Sequence, residues 1–132
     1  MQSTNQDQQQ FRTIAQQLNA SWDGAFNAQQ AEQVATFYDA AATVMPSGAA
    51  QVSGVTDILQ FWSNLLAQGV IDHHIEMLET AVDAILAVQR GKWSAAAVDA
   101  NGQRQTFGGA LLLTYRRQAD GSWKILNHIW NM

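Results

Sequence analysis

From Ile71 onward the apolar residues of this chain recur at every second position; before it they recur at every third and fourth. A period near 3.6 is one face of a helix and a period of two is one face of a strand. The switch divides the chain into helices first and strands afterwards. Phe11, Ile14, Leu18, Trp22 and Phe26 predict a first helix, weakened by Gly24 and broken at the Asn-Ala-Gln-Gln of 27–30. A second short helix turns Val34, Phe37 and Tyr38 inward, and residues 42–46 read as a short strand stopped by Pro46. Residues 47–54 read as a loop. Ile58, Phe61, Trp62, Leu65 and Leu66 make the clearest helical stripe, with Thr56 as its expected N-cap and Gly69 at its end. Strands are expected at 71–78, at 84–98 with Gly91 as a bulge or close approach, at 104–117 with a bend at Gly108-Gly109, and at 122–131. Segregated helices and a strand meander mean α+β, with a curved antiparallel sheet wrapped around about three helices. Residues 1–10, with five Gln, read as a disordered polar tail, and 11–132 as a single domain.

Composition narrows the function. Hydrophobic residues are 47% and charged residues 14%, against the usual charged share of about 25%. Five Trp and five Phe exceed what a small core needs, which points to a lined cavity, a subunit interface or both. A net charge of -4 without a basic patch argues against nucleic acid. No cysteine is present, so thiolate chemistry and Cys-type zinc sites are excluded. No stretch approaches the roughly 20 apolar residues of a membrane span. The opening residues lack an apolar signal core, which reads as cytoplasmic as the chain stands, or periplasmic if a leader has been removed. No cofactor is expected.

The stretches WDGAFNAQQAEQVATFYDAAATVMPSG, VSGVTDILQFWSNLL, GKW and GGALLLTYRRQADGSWKILNHIWN resemble the nuclear-transport-factor-2-like superfamily. More narrowly, they resemble its SnoaL-like or ketosteroid-isomerase-like branch of small bacterial proteins. The resemblance spans about residues 11–131. Its most specific parts are the opening W-x-x-A-F-N and the closing DG-x-WKI-x-x-x-x-WN. It implies a cone-shaped, cystatin-like fold with a hydrophobic pocket between the sheet and the first helix. It also implies a homodimer through the outer sheet face. The superfamily holds isomerases, epoxide hydrolases, cyclases, dehydratases, scaffolds and binders, so the fold alone does not give the function.

The resemblance can be tested against chemistry. A ketosteroid isomerase needs a carboxylate base and an oxyanion hole of tyrosine and protonated acid. At the corresponding places stand Trp22, Val44-Met45-Pro46 and Leu111-Leu112-Leu113, so that activity is not expected. A limonene-epoxide-hydrolase type Asp–Arg–Asp set is missing as well: Asp99 and Asp120 lie in turns, and Arg116 and Arg117 at a strand end.

Simple alternation puts Lys124, Leu126, His128 and Trp130 on one face of the last strand and Trp123, Ile125, Asn127, Ile129 and Asn131 on the other. The resemblance turns the His128 face inward. His128 is then the first acid/base candidate, because an imidazole titrates near neutrality, although a hydrogen-bonded core histidine is the plainer reading. Adjacent His73 and His74 should point to opposite faces, so they cannot chelate together and no metal site is expected. Gln89 replaces an acid found in many relatives; it orients a ligand or simply covers the sheet. Trp22, Phe26, Phe61, Trp62, His73, Trp93, Leu113, Tyr115 and Trp130 are candidate pocket residues, with hydroxyls from Tyr38 and Tyr115 available to a ligand. The leading expectation is a binder of a small apolar or aromatic molecule. The alternatives are an isomerase, cyclase or dehydratase-like enzyme using His128, with Tyr38 or Gln89 orienting, and a dimeric association module contacting through Trp123, Ile125 and Ile129.

Overall fold

The computed structural model describes residues 4–132. Its elements run α1 (Asn5–Asn27), α2 (Ala31–Ala35), β1 (Tyr38–Met45), β2 (Val52–Ser53), α3 (Val55–Ala67), β3 (Val70–Asp83), β4 (Leu86–Val98), β5 (Arg104–Arg117) and β6 (Trp123–Trp130). The strands form one sheet in the order β2-β1-β6-β5-β4-β3. All neighbours are antiparallel except β1 and β6. This is the expected α+β architecture, a curved, open sheet with its helices on the inner face.

From Asn5 onward the glutamine-rich start is helix, not tail. Thr4 caps α1 by accepting from the Asp7 backbone, and the Asp7 carboxylate accepts from the Thr4 backbone. This reciprocal capping box satisfies orphan donors at the first turn. Residues 1–3 lie outside the described residues.

α1 also does something apolar periodicity does not announce. β3 is the last strand of the sheet, and α1 runs antiparallel along its open edge. Gln8 exchanges two hydrogen bonds with the Val82 backbone, Asp23 accepts from the Ile75 N–H, and Asn27 exchanges two with the His73 backbone. From residue 8 to 27 a helix rises about 28 Å at 1.5 Å per residue. From 73 to 82 a strand rises about 30 Å. The two lengths match, so polar side chains of the helix serve β3 as a surrogate neighbouring strand.

Other differences have local causes. Tyr38 opens β1 rather than closing α2. β2 is a two-residue strand inside the expected loop. Gly54, at φ 86, takes the N-cap of α3 in place of Thr56 and offers no side-chain bond. Gly69 does end that helix, at φ 90. Gly91 is a close approach: a Cβ there would lie 2.4 Å from the Glu76 carbonyl oxygen, beside a bulge that leaves Leu78 unpaired.

On β6 the simple alternation fails. Thr114 pairs with Asn127 and Tyr115 with Ile125, so Leu126 is an extra residue. The bulge resets the parity. Trp123 and Ile125 therefore point inward with His128 and are buried. Trp123 packs edge-on against Phe11 of α1 at 5.2 Å. Of the three residues expected on an outer contact surface, only Ile129 is exposed.

Candidate functional site

The concave face holds two spaces. A void of about 10 Å³ lies under α1, lined by Trp22, Leu113, Tyr115 and His128 among others. A cavity of about 280 Å³ lies under α3, walled by Phe61, Trp62, His73, Trp93, Leu111, His128 and Trp130. No α1 residue lines this second cavity, which sits between the sheet and the third helix. Its volume equals the share of roughly nine waters in the liquid. Of the aromatic candidates, Trp22 and Phe26 stand behind this wall, stacked on one another at 5.3 Å, with Trp22 edge-on to Trp62. Leu113 and Tyr115 line only the smaller void.

His73 reaches the cavity through a defect in β3. Between Ile71 and His74 the strand carries one residue more than β4, and Asp72 adopts φ 56. Asp72 is ion-paired with Arg104 of β5. Bulges re-aim side chains. Here the result is a His73 ring parallel to Trp93 at 5.9 Å and against Trp22 at 4.7 Å. Its Nδ1 is 2.7 Å from Asp23 Oδ1. An ionised carboxylate only accepts, so Nδ1 carries the proton of the neutral ring and Nε2 the lone pair. Nε2 makes no hydrogen bond among the described residues. Asp23 is the carboxylate that sequence reasoning missed. It stands at the first open position of W-x-x-A-F-N, one residue after Trp22 and four before Asn27. Asp23 and Asn27 share a helix face.

His128 sits in a different chain of bonds. Trp22 Nε1 donates to Tyr38 Oη at 3.2 Å, and Tyr38 Oη lies 2.9 Å from His128 Nδ1. The hydroxyl proton has only that nitrogen to go to, so His128 holds its own proton on Nε2. Burial, with His73 nearby, pushes its pKa down from 6.5 to about 3, so the ring is neutral at ordinary pH. Burial likewise pushes the Tyr38 hydroxyl above its usual range. Trp62 Nε1 is buried and, among the described residues, makes no hydrogen bond of ordinary geometry, but it lies close enough to the Tyr38 hydroxyl to oppose the effect of burial there.

Gln89 lies away from the cavity and fully buried. It exchanges two amide bonds with Asn19 of α1, at 2.6 and 3.0 Å, and donates to Tyr115 Oη at 2.6 Å. All its polar capacity but one lone pair is used inside the protein, which fits a clamp of α1 to the sheet. His74 is exposed. Among the described residues no group of three or more His, Asp or Glu could hold a metal ion, and no helix is long and apolar enough to cross a membrane.

The model of the SnoaL-like domain family matches residues 18–126. The chain belongs to the SnoaL-like family. No curated protein matches it. Among solved structures, this SnoaL-like domain is similar to a ketosteroid isomerase-like protein from Erwinia carotovora atroseptica, with TM-score 0.80 at 19% identity and 97% of each chain covered. It is also similar to an NTF2-like protein with a cystatin-like fold from Novosphingobium aromaticivorans, with TM-score 0.71 at 14% identity, covering all of this chain and 92% of that one. An NTF2-like superfamily protein from Salmonella enterica gives TM-score 0.73 at 15% identity, with 91% of each covered. At such identities the likeness concerns the fold of the SnoaL-like domain, and its chemistry rests on its own residues.

Proposed function

We propose that this SnoaL-like domain binds a small apolar or aromatic molecule bearing a carbonyl in the cavity under α3 and moves a proton on it. One observation carries the reading: a histidine in the cavity wall has its far nitrogen 2.7 Å from a carboxylate. A base held in one tautomer by a third group is the arrangement that proton abstraction requires. His73 Nε2 takes the proton next to the carbonyl. The carbonyl oxygen gains negative charge, and His128, neutral and protonated on Nε2, donates to it. Asp23 stabilises the imidazolium that forms on His73. Return of the proton at another atom gives an isomer; its delivery by the imidazolium to a neighbouring hydroxyl, which leaves as water as the C–O bond breaks, gives a dehydration. The part for His128 is therefore donor rather than base, because burial that lowers its pKa to about 3 makes it a poor proton acceptor.

The test uses a panel of small cyclic and aromatic ketones. Ligands that raise the melting temperature are incubated in D₂O, and exchange of the hydrogen next to the carbonyl is followed by NMR. His73→Ala is expected to slow exchange by about 10²- to 10⁴-fold. Equal exchange in His73→Ala would remove the histidine from the mechanism, and no exchange of any bound ketone would reduce the protein to a binder.

A second reading concerns assembly. Leu112 and Ile129 pair directly across β5 and β6 on the outer face, and both are about 40% exposed. Adjacent exposed aliphatics on a sheet support a homodimer through that face.

A further inference from the structure

The geometry points to a proton route that passes through His73 and leaves on the side away from the cavity, with Asp23 as relay and His74 as the exchange group at its outer end. It rests on the reading of His73 as the base. The first observation is that His73 lines two spaces. One is the cavity under α3. The other is a wider, more polar groove of about 530 Å³ between α1 and β3, whose lining includes Asp23, Asn27, His74 and Glu76. Asp23 lines the groove and not the cavity. The imidazole is thus the partition between them, and its hydrogen bond to Asp23 leads to the groove side.

The second observation is the placement of His74. Neighbours on a regular strand point to opposite faces. The irregularity at Asp72 instead brings both imidazoles to one carboxylate: His73 Nδ1 at 2.7 Å from Oδ1, and His74 Nδ1 at 3.9 Å from Oδ2. The latter gap exceeds a hydrogen bond and suits one bridging water or a small rotation. His74 is 71% exposed, whereas His73 is 10% and Asp23 13%. Exposure rises at the outer end of the route. The charged groups in the groove are Asp23 from α1 and Glu76 from β3; Lys92 of β4 pairs with Glu76 in register, and Arg104 of β5 holds Asp72.

The third observation is what the cavity lacks. Apart from the two histidines its lining holds no titratable side chain, and His128 is kept neutral. A proton taken by His73 finds no carboxylate side chain among those walls. The step balances as a relay. The ligand's C–H proton bonds to Nε2 and makes the imidazolium that Asp23 stabilises; the N–H bond at Nδ1 then breaks and that proton goes to Asp23 Oδ1. The carboxyl then gives a proton to groove water or His74, and the ring is left neutral. Reprotonation of the ligand runs the same steps backwards.

The experiment follows the His73 Nδ1 proton in ¹⁵N-histidine-labelled full chain, without ligand, by saturation transfer from water. In His74→Gln its exchange near pH 6.5 should fall about fivefold, and added imidazole should restore it. Equal exchange in both proteins, or slowing that imidazole does not rescue, would overturn the route. The two readings separate cleanly. His74-dependent exchange in a protein that turns over no ketone keeps the route and removes the catalysis. Ketone exchange lost in His73→Ala, with a His74→Gln proton exchanging as in the parent, keeps the base and removes the route.

Discussion

His128 shows how burial changes what a residue does. Its folded pKa of about 3 lies below the 6.5 of an unfolded histidine, so the unfolded chain binds the extra proton first. The stabilisation is complete above pH 6.5 and is lost as pH falls toward 3. The slope approaches about 1.4 kcal/mol per pH unit in that window. Urea unfolding at pH 4, 5, 6 and 7 checks it, and His128→Phe should flatten the curve. Asp39 adds a separate, more acidic loss. Its carboxylate is held below the usual range, first by the Ala41 backbone N–H, then by Gln118 and Arg116, so its contribution is present above pH 3.9 and disappears as pH falls through its lowered value. Gln89 gives a second prediction at this scale. Gln89→Leu leaves Asn19 and Tyr115 without partners and should cost about 1–3 kcal/mol per orphaned group. The double change Asn19→Leu with Gln89→Leu should cost less than the sum of the single changes, because both remove one network.

At the scale of elements, what was legible follows from what sets each element. Wherever one apolar face met one core, the stripe in the sequence found the element: α3 from Ile58 to Leu66, and β5 at 104–117. The departures occur where backbone polar groups or extra residues decide. The first turns of α1 have no apolar face, and they form through Thr4, Asp7 and Gln8. The β6 bulge at Leu126 is silent in an apolar run, and one extra residue inverts every side chain upstream of it, which is why Trp123 is core. The Asp23–His73 pair was hidden differently. Fifty residues separate its members, and nothing in the sequence around either one names the other. Gly91 was read correctly, since a glycine in a strand marks a close approach. Gly91→Ala should cost about 1–3 kcal/mol, because the Cβ meets a backbone oxygen that cannot turn away. Thr4→Ala should cost about 1 kcal/mol through the lost cap. Thermal unfolding of the two variants checks both values.

The whole molecule separates its duties by face. The concave side carries the cavity and the histidines; the convex side carries Leu112 and Ile129. A dimer through the convex side leaves both cavities untouched. Light scattering is expected to give twice the chain mass, and Leu112→Lys with Ile129→Lys to give the single mass with ketone affinity unchanged. The surrogate-strand arrangement of α1 has a consequence for the life of the protein before and after folding. A 14-residue β3 with an open edge is a template for pairing with another chain. Until α1 docks, or whenever it lifts, the hydrogen bonds of Gln8, Asp23 and Asn27 no longer cover that edge against a neighbour's strand. The same carboxylate that orients His73 thus also occupies one of the backbone donors of that edge.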